Sequence, residues 1–257
     1  MTEQTTQKKY ELLKDDTVEH LGRTLYRIKA LITFGLVGAG QLGGYIETEK
    51  NLDHSGNAWV YDNAMVYGNA RVFGNAGVYG NAWVYGNAWV YGNARVFGNA
   101  GVYGNARVFG NAGVLDDAWV SGDARVFDDA RVYGDARVYG DAWVYGDARV
   151  YGDAWVYGDA RVYGDARVYG DARVCGDARV RYFAVISERK MIFWASNVGS
   201  ENGTLTVFNG KFGLIVTRGC FTGTVDEFLS KSKEVHDNKT HHEYKLLIEV
   251  AQSRILN

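Results

Sequence analysis

The sequence contains no proline and only two cysteines among 257 residues. Without proline, collagen-like and polyproline structures are excluded. Two cysteines are too few for a disulfide framework, so we expect a protein of a reducing compartment, the cytoplasm. Histidine is also scarce, and none lies between His54 and His236. The middle of the chain therefore lacks the side chain that most often acts as a general base.

Long apolar runs and a strong charge of either sign are absent as well. No run approaches the ~20 apolar residues that a membrane-spanning helix needs, and residues 1–16 lack the apolar segment of a signal peptide. The formal net charge is −2, which gives no overall attraction to nucleic acid or to an anionic membrane. We expect no membrane partner, and nucleic acid is not favoured.

Glycine and tyrosine, in contrast, are abundant, with 33 and 18 copies. Both belong to a six-residue unit, Ala-x-Val-Tyr-Gly-Asn/Asp, that repeats from residue 57 to residue 181. Val recurs at every sixth position from Val60 to Val180, and Ala from Ala58 to Ala178, 21 times each without a slip. A fixed short period indicates a solenoid, and six is the period of hexapeptide β-helices.

The residue types predict where each side chain points. Val is β-branched and suits a strand, and side chains alternate along a strand. If Val points inward, the x residue and the aromatic residue point outward, and Ala points inward near a corner. Gly-Asn or Gly-Asp makes that corner, because these residues tolerate positive φ. Three units close a triangular coil of 18 residues, so the repeat predicts about seven coils and a prism about 34 Å long.

The repeat resembles hexapeptide-repeat, left-handed β-helix proteins, which place an aliphatic residue at one position and a small one four residues later. Val60 with Ala64 and Val132 with Ala136 fit that pattern. The resemblance implies a mainly β fold with left-handed coils, and packing of prisms as a trimer. Many relatives are acyltransferases that use a histidine near a coil edge and a loop that interrupts a coil. The repeat has neither, so we expect no catalytic residue, no cofactor and no metal site, and the acyltransferase stays an alternative.

The composition divides the chain into an N-terminal β cap (1–56), the repeat (57–181) and a C-terminal α+β domain (182–257). We predict strands at 10–13, 24–31, 191–196, 204–208 and 213–218. We predict helices from Thr224 to about Val235 and over 242–255, the first because Thr224 and Glu227 form a capping box. Residues 38–44 are glycine-rich but lack the Lys-Ser/Thr of a phosphate loop, and we interpret them as turns.

Three N-terminal runs resemble the opening of uncharacterised hexapeptide-repeat proteins from phages, prophages and gut bacteria, some of which are labelled transferases by fold analogy alone. These runs are GRTLYRIKAL (22–31), QLGGYIE (41–47) and NLDHSGNAWVY (51–61). The stretch 196–228 resembles a small domain, without an assigned role, that recurs in phage-type and mobile-element proteins. The C-terminal domain is either a cap or a recognition module, and the sequence leaves both open.

The outward positions change along the repeat. The corner is Asn in the first ten units and Asp in the last eleven, so residues 57–114 carry a net charge of +2 and residues 115–181 of −4. We expect the Asp corners to neutralise stacked arginines. Three interpretations remain: a solvated charge ladder, an Arg/Tyr/Trp surface that stacks on bases or a nucleotide, and Asp rows that mimic a nucleic-acid backbone. The candidate binding residues are Arg131, Arg149, Arg167, Tyr133, Tyr151, Trp143 and Trp155.

Exposed aromatic ladders favour association, because large apolar patches rarely stay uncovered. We predict a homo-oligomer, with a trimer favoured. The sequence best fits a non-catalytic β-helix scaffold, phage-derived, that binds and inhibits a host protein such as a defence factor. The alternatives are an acyltransferase and a nucleotide or nucleic-acid binder.

Overall fold

The computed structural model describes residues 7–256 and shows a mainly β parallel solenoid of about eight turns, followed by a small sheet and two helices. Residues 1–6 of the predicted N-terminal cap and residue 257 of the predicted C-terminal domain lie outside the described residues. The parallel β-helix predicted from the period of six is confirmed.

The solenoid begins with three longer strands and a short 3-10 turn, Glu49–Asn51. The three strands are β1 (Tyr10–His20), β2 (Arg23–Ala30) and β3 (Leu42–Ile46). The strands that follow, one to each repeat unit and one beyond, are β4 (Trp59–Val60), β5 (Met65–Val66), β6 (Arg71–Val72), β7 (Gly77–Val78), β8 (Trp83–Val84), β9 (Trp89–Val90), β10 (Arg95–Val96), β11 (Gly101–Val102), β12 (Arg107–Val108), β13 (Gly113–Val114), β14 (Trp119–Val120), β15 (Arg125–Val126), β16 (Arg131–Tyr133), β17 (Arg137–Val138), β18 (Trp143–Val144), β19 (Arg149–Tyr151), β20 (Trp155–Val156), β21 (Arg161–Val162), β22 (Arg167–Val168), β23 (Arg173–Val174), β24 (Arg179–Val180) and β25 (Val185–Ile186).

These strands form three parallel sheets, the faces of the prism. The first face runs β3, β5, β8, β11, β14, β17, β20, β23, and β1 and β2 extend it antiparallel. The second face runs β4, β7, β10, β13, β16, β19, β22, β25, and the third runs β6, β9, β12, β15, β18, β21, β24. From β4 to β22, each strand pairs with the one 18 residues further on, as Val132 does with Val150. The 21 units give the expected seven coils, and the flanking strands extend the solenoid to about eight turns.

The interior of the prism is built from the Val and Ala of each unit. All of them, from Ala58 to Val180, are at most 1% exposed, which confirms the predicted inward orientation. Gly makes most corners at positive φ, as at Gly140 (φ 72°). A Cβ there would lie 3.0 Å from the backbone nitrogen of Gly158 in the next coil, so the corner needs glycine for space as well as for φ.

The C-terminal region packs as two layers on the far end of the solenoid. A 3-10 turn, Arg189–Met191, leads into an antiparallel sheet of β26 (Ile192–Val198), β27 (Gly203–Gly210), β28 (Gly213–Arg218) and β29 (Phe221–Thr224), and then into helices α1 (Val225–Val235) and α2 (Asn238–Ile255). Alternation along β27 turns Phe208 toward the solenoid core, whereas Leu205 and Val207 face the helices.

Polar contacts join this sheet to the last coils. The Thr217 hydroxyl donates to the Arg179 carbonyl at 2.9 Å, and the Arg179 backbone N–H donates to the Thr206 hydroxyl at 3.1 Å. The amide of Asn209 donates to the Val185 carbonyl at 3.1 Å. The sheet therefore covers backbone groups that the end of a solenoid leaves open.

The N-terminal end is closed by buried polar side chains. Lys9 donates through Nζ to the Ala58 carbonyl at 2.9 Å, and the Tyr10 hydroxyl donates to the Leu52 carbonyl at 2.7 Å. Asn51 donates through Nδ2 to the Ala70 carbonyl at 2.9 Å. Burial of Lys9 lowers the pKa of its ammonium from 10.5 to about 8, against the opposing charge of Asp53.

The structure corrects two local predictions. Gly43 and Gly44 lie in β3 and not in a turn. Both positions need glycine because β3 approaches the first coil so closely that a Cβ would come within 2.5 Å of the Val60 or Ala64 carbonyl oxygen. Helix α2 begins at Asn238, four residues earlier than predicted, since the Asp237 side chain caps it by accepting from the Thr240 backbone N–H at 2.8 Å. The Thr224 capping box of α1 is confirmed. In the described part of the chain, no helix is long and apolar enough to cross a membrane.

Candidate interaction surface

The x residue of each unit points outward, and the 18-residue register arranges these residues in one row on each face. On the first face the row reads Met65, Trp83, Gly101, Trp119, Arg137, Trp155, Arg173. On the second face it contains arginines and glycines after the buried Trp59, and on the third it alternates mostly between Arg and Trp. The sequence thus determines directly which side chains are neighbours on each face.

On the third face, arginines lie over the tryptophan rings of neighbouring coils, except for Arg71, which lies over Phe73 and not over its row neighbour Trp89. The guanidinium groups of Arg125 and Arg161 lie 4.9 and 4.7 Å from the centroid of Trp143, one in the coil before and one in the coil after. Arg107 lies 5.0 Å from the centroid of Trp89. On the first face, Arg137 and Arg173 lie 5.3 and 4.2 Å from Trp155. These are cation–π distances.

This arrangement replaces the neutralisation that the sequence led us to expect. Within residues 57–181, all of which are described, no arginine forms an ion pair with a corner carboxylate, and Asp171 pairs instead with Arg189 outside the repeat, at 3.6 Å. Arg173 donates to the backbone carbonyl of Asp153 at 2.8 Å rather than to its carboxylate. The arginines beside Trp89, Trp143 and Trp155 are therefore held by the indole rings, and the corner carboxylates stay free of salt bridges to them.

A second set of rows consists of the aromatic residues that follow Val. Tyr133 and Tyr151 stack with their centroids 4.8 Å apart, and Tyr151 stacks on Tyr169 at 4.9 Å. Partial burial raises the pKa of Tyr151, and a hydrogen bond with Cys175 together with burial raises the pKa of Tyr157 to about 12. The aromatic ladder on the third face is continuous from Phe73 to Tyr163, whereas the ladders on the first and second faces are interrupted at Ser121 and Leu115.

The predicted binding residues are divided among the three faces. Arg131, Arg149 and Arg167 form one in-register row on the second face, and Tyr133 and Tyr151 flank it. Trp143 lies on the third face (β18) and Trp155 on the first (β20). Five of the seven residues are therefore brought together, and the two tryptophans are separate.

The corners carry a third set of rows, made of side-chain amides and carboxylates. With the exception of Asn63, every corner Asn from Asn57 to Asn111 donates through Nδ2 to Oδ1 of the residue one coil further on, and three such ladders run to Asp117, Asp123 and Asp129. Beyond these residues the corner rows contain only carboxylates, which cannot donate to one another. The switch from Asn to Asp therefore ends the hydrogen-bonded part of each row.

A notch interrupts the first face at Gly101. Its floor is Gly101 and its walls are Trp83 and Trp119, one coil before and one coil after; we name it the Trp83–Trp119 notch. It encloses about 290 Å³, and the remaining lining residues are Asn81, Asn99, Asp117, Tyr85 and Tyr103. The side chains of Trp83 and Trp119 are 38% and 41% exposed. The notch was not among the predicted binding sites, although the 18-residue period places Gly101 between two tryptophans.

Two further cavities have a different chemistry. Gly113 on the second face lies between Arg95 and Arg131 in a cavity of about 400 Å³, and Leu115 covers part of its floor. In the C-terminal region, a cavity of about 300 Å³ is lined mainly by apolar groups that include Phe221 and Phe228. The first is cationic and the second is largely apolar.

Two histidines outside the repeat make structural contacts. His54 stacks on Tyr10 with centroids 4.3 Å apart, and a ring nitrogen of His241 lies 3.2 Å from the Ser232 hydroxyl. Cys175 is half-buried in the row after Tyr157, and Cys220 is exposed. Residues 7–256 contain no group of three or more His, Cys, Asp or Glu side chains placed to hold a metal ion.

Comparison with known proteins places the repeat among β-solenoids. The family model for the YdcK β-solenoid repeat matches residues 58–74, 66–80, 76–92, 88–104, 100–116, 130–146, 142–158 and 160–176. No curated protein matches the chain significantly. The matches together cover less than half of the chain, and over its repetitive middle the chain is similar to this family of β-solenoid repeats.

Proposed function

We propose that the chain is a non-catalytic β-solenoid scaffold, encoded by a phage or prophage, that binds and inhibits a protein of the bacterial host cytoplasm. The phage and host parts of this proposal rest on the resemblance of the flanking segments to phage proteins. The interaction part rests on the outward rows of the solenoid.

The observation that carries the proposal is the exposure of Trp83 and Trp119 on one flat face. Tryptophan is enriched among the residues that dominate binding energy at interfaces, and exposed aromatic surface of this kind marks interaction sites. Both side chains stand on strands whose neighbours above and below are fixed by backbone ladders. A partner that binds here meets a surface already in its bound shape, which lowers the entropic cost of association.

Self-association is a further part of the proposal. Three flat faces with stacked rings leave more than one surface to cover, and a homo-oligomer, most simply a trimer, can cover one face and leave another for the partner. Light scattering at micromolar concentration tests this part: a trimer supports it, and a monomer contradicts it.

The test of the interaction compares the full chain with a variant that changes only the exposed surface. We expect tagged wild-type protein, expressed in bacteria, to co-purify one protein in near-stoichiometric amounts. Trp83→Ala with Trp119→Ala should reduce the amount at least tenfold. The double variant should keep its far-UV circular dichroism spectrum, because neither side chain is in the core.

Replacement of Trp155 is the matched control, since its ring is already covered by two arginines. We expect Trp155→Ala to retain the partner. The absence of a stoichiometric partner, or a partner that both tryptophan variants retain equally, would overturn the interaction role.

Two other outcomes would favour the other functions that the sequence leaves open. Calorimetric binding of acetyl-CoA, followed by acyl transfer, would replace the scaffold with an acyltransferase. Oligonucleotide binding that weakens steeply with salt would indicate a nucleic-acid binder.

A further inference from the structure

Five arginines on the outer rows show what fits beside an outward-facing indole of this solenoid. Their guanidinium groups lie 4.2 to 5.3 Å from the ring centroids of Trp89, Trp143 and Trp155. Trp143 and Trp155 each have one guanidinium from the coil before and one from the coil after. The spacing between coils, about 4.8 Å, therefore equals the distance that a cation over an indole needs.

The Trp83–Trp119 notch has the same geometry without the cation. Two coil spacings separate Trp83 from Trp119, about 9.6 Å, and the position between them is Gly101 instead of Arg. Among the described residues, no Arg or Lys lies over the ring of either tryptophan, and the ring centroids of His20 and Trp83 are 5.3 Å apart. The notch is a place for a guanidinium that this chain does not supply.

The polar groups of the notch also favour a cation. Asp117 provides a carboxylate, and only its Oδ1 receives a hydrogen bond within the described residues, from the Asn99 amide at 3.0 Å. Tyr85 and Tyr103 add two stacked rings, with centroids 4.9 Å apart. No lining residue is basic. The negative faces of the rings and the Asp117 carboxylate thus both attract a cation.

We propose that the Trp83–Trp119 notch binds a guanidinium or alkylammonium group, delivered as an arginine side chain of the protein partner. The group would lie between the two indoles, over Gly101, and donate to the free Oδ2 of Asp117. This inference rests on the proposed interaction function and identifies the chemistry that the partner must present.

The test uses the purified full chain and two small probes. Nα-acetyl-L-arginine amide should shift the indole N–H resonances of Trp83 and Trp119 and saturate. Nα-acetyl-L-citrulline amide has the same shape without the charge, and it should bind at least tenfold more weakly. Equal binding of the two probes would overturn the proposal, and this comparison needs no variant to fold.

Gly101→Arg supplies the missing cation from the chain itself. Gly101 has no positive φ, and a Cβ there would meet Trp119 at 3.8 Å, an ordinary contact, so the variant should fold. We expect it to abolish binding of the arginine probe, whereas Gly113→Arg, which adds the same charge to the second face, should leave binding within twofold of wild type. Asp117→Asn should weaken binding at least threefold. Unchanged binding in Gly101→Arg would contradict the site.

Tetramethylammonium distinguishes the two sources of the cation. If it binds tenfold or more tightly than the arginine probe, the notch takes a free alkylammonium compound and the partner arginine is wrong. If no probe binds but the tryptophan double variant still loses the partner, the notch does not bind a cation. The proposed interaction function would then stand without this inference.

Discussion

The Asn111 amide donates a hydrogen bond to the Asp129 carboxylate across one coil spacing, at 3.0 Å. It is the last bond of a ladder that begins at Asn57 and climbs one corner of the prism through Asn75 and Asn93. Asp129 cannot pass the ladder on, since a carboxylate accepts but does not donate. The same change from Asn to Asp makes the second half of the repeat the negative one, although that half carries nine arginines against three in the first.

The end of this ladder predicts opposite effects for two single substitutions. Asn111→Asp removes the donor and places two carboxylates in contact, so it should lower the free energy of unfolding by about 1–2 kcal/mol. Asp129→Asn gives the ladder one more donor and should raise stability by about 0.5–1 kcal/mol. Urea denaturation measures both, and 1 M salt should reduce the loss in Asn111→Asp. A loss that is independent of salt would show that repulsion is not its cause.

The arginines over Trp143 predict a measurable coupling. Arg125→Ala should cost about 0.5–1 kcal/mol of stability, because the guanidinium over the indole is lost. A double-mutant cycle with Trp143→Ala should recover most of that cost as an interaction energy. Arg149→Ala is the control, because Arg149 has no ring beneath it among the described residues. Equal costs for Arg125→Ala and Arg149→Ala would mean that the stacking contributes nothing.

The Val core predicts a severe effect in the middle of the prism. Val120 is fully buried, and Val120→Asp would place an unpaired charge inside, so it should cost more than about 4 kcal/mol and unfold the central coils. Ser121→Asp, one residue further on and outward, should change stability by less than about 0.5 kcal/mol. Thermal unfolding followed by circular dichroism compares the two. An unchanged melting temperature for Val120→Asp would refute the inward assignment.

Lys9 predicts how stability depends on pH. Because burial lowers its pKa from 10.5 to about 8, the unfolded chain binds a proton between these values that the folded protein has released. The free energy of unfolding contributed by Lys9 therefore rises with pH from about 8 to 10, by at most about 1.4 kcal/mol per pH unit. Above pH 10 the tyrosines oppose this trend, since the pKa values of Tyr61 and Tyr67 are raised to about 12.

The measurement is the difference in stability between wild type and Lys9→Met across pH 7 to 10. It should grow in favour of wild type as the pH rises above 8. A difference in stability that stays constant with pH would mean that Lys9→Met loses only the hydrogen bonds to the Ala58 and Gly56 carbonyls. Burial would then not lower the pKa of Lys9.

The solenoid could be predicted from the sequence because each position of the repeat unit has its own characteristic residue type. Val at a strict period of six allowed one inward face, and an insertion of a single residue would have turned it outward. The ends were harder. Helix α2 starts early because Asp237 caps it, and Gly43 and Gly44 are explained by carbonyl oxygens of the coil beneath them, which no local pattern shows.

The candidate site was predicted only in part for a related reason. The numbers of Arg and Asp residues led us to expect Asp beside Arg. Side chains of one row, however, are closer to one another than to the corner residues, so Arg161 lies over Trp143. The Trp83–Trp119 notch exists because Gly101 has no side chain. Gly101 can be recognised as part of a site only together with the tryptophans 18 positions before and after it.

Photo-crosslinking from position 121 in the full chain tests the central claim most directly, because it asks whether a protein partner occupies the first face. With p-benzoylphenylalanine in place of Ser121, which follows Trp119 and Val120 on the first face and does not line the notch, we predict one discrete adduct in bacterial cells, lost when Gly101→Arg is added and retained with Gly113→Arg. An adduct that forms equally in both backgrounds, or one that forms only from the C-terminal helices (from Lys231, for example), would contradict recognition by the solenoid face.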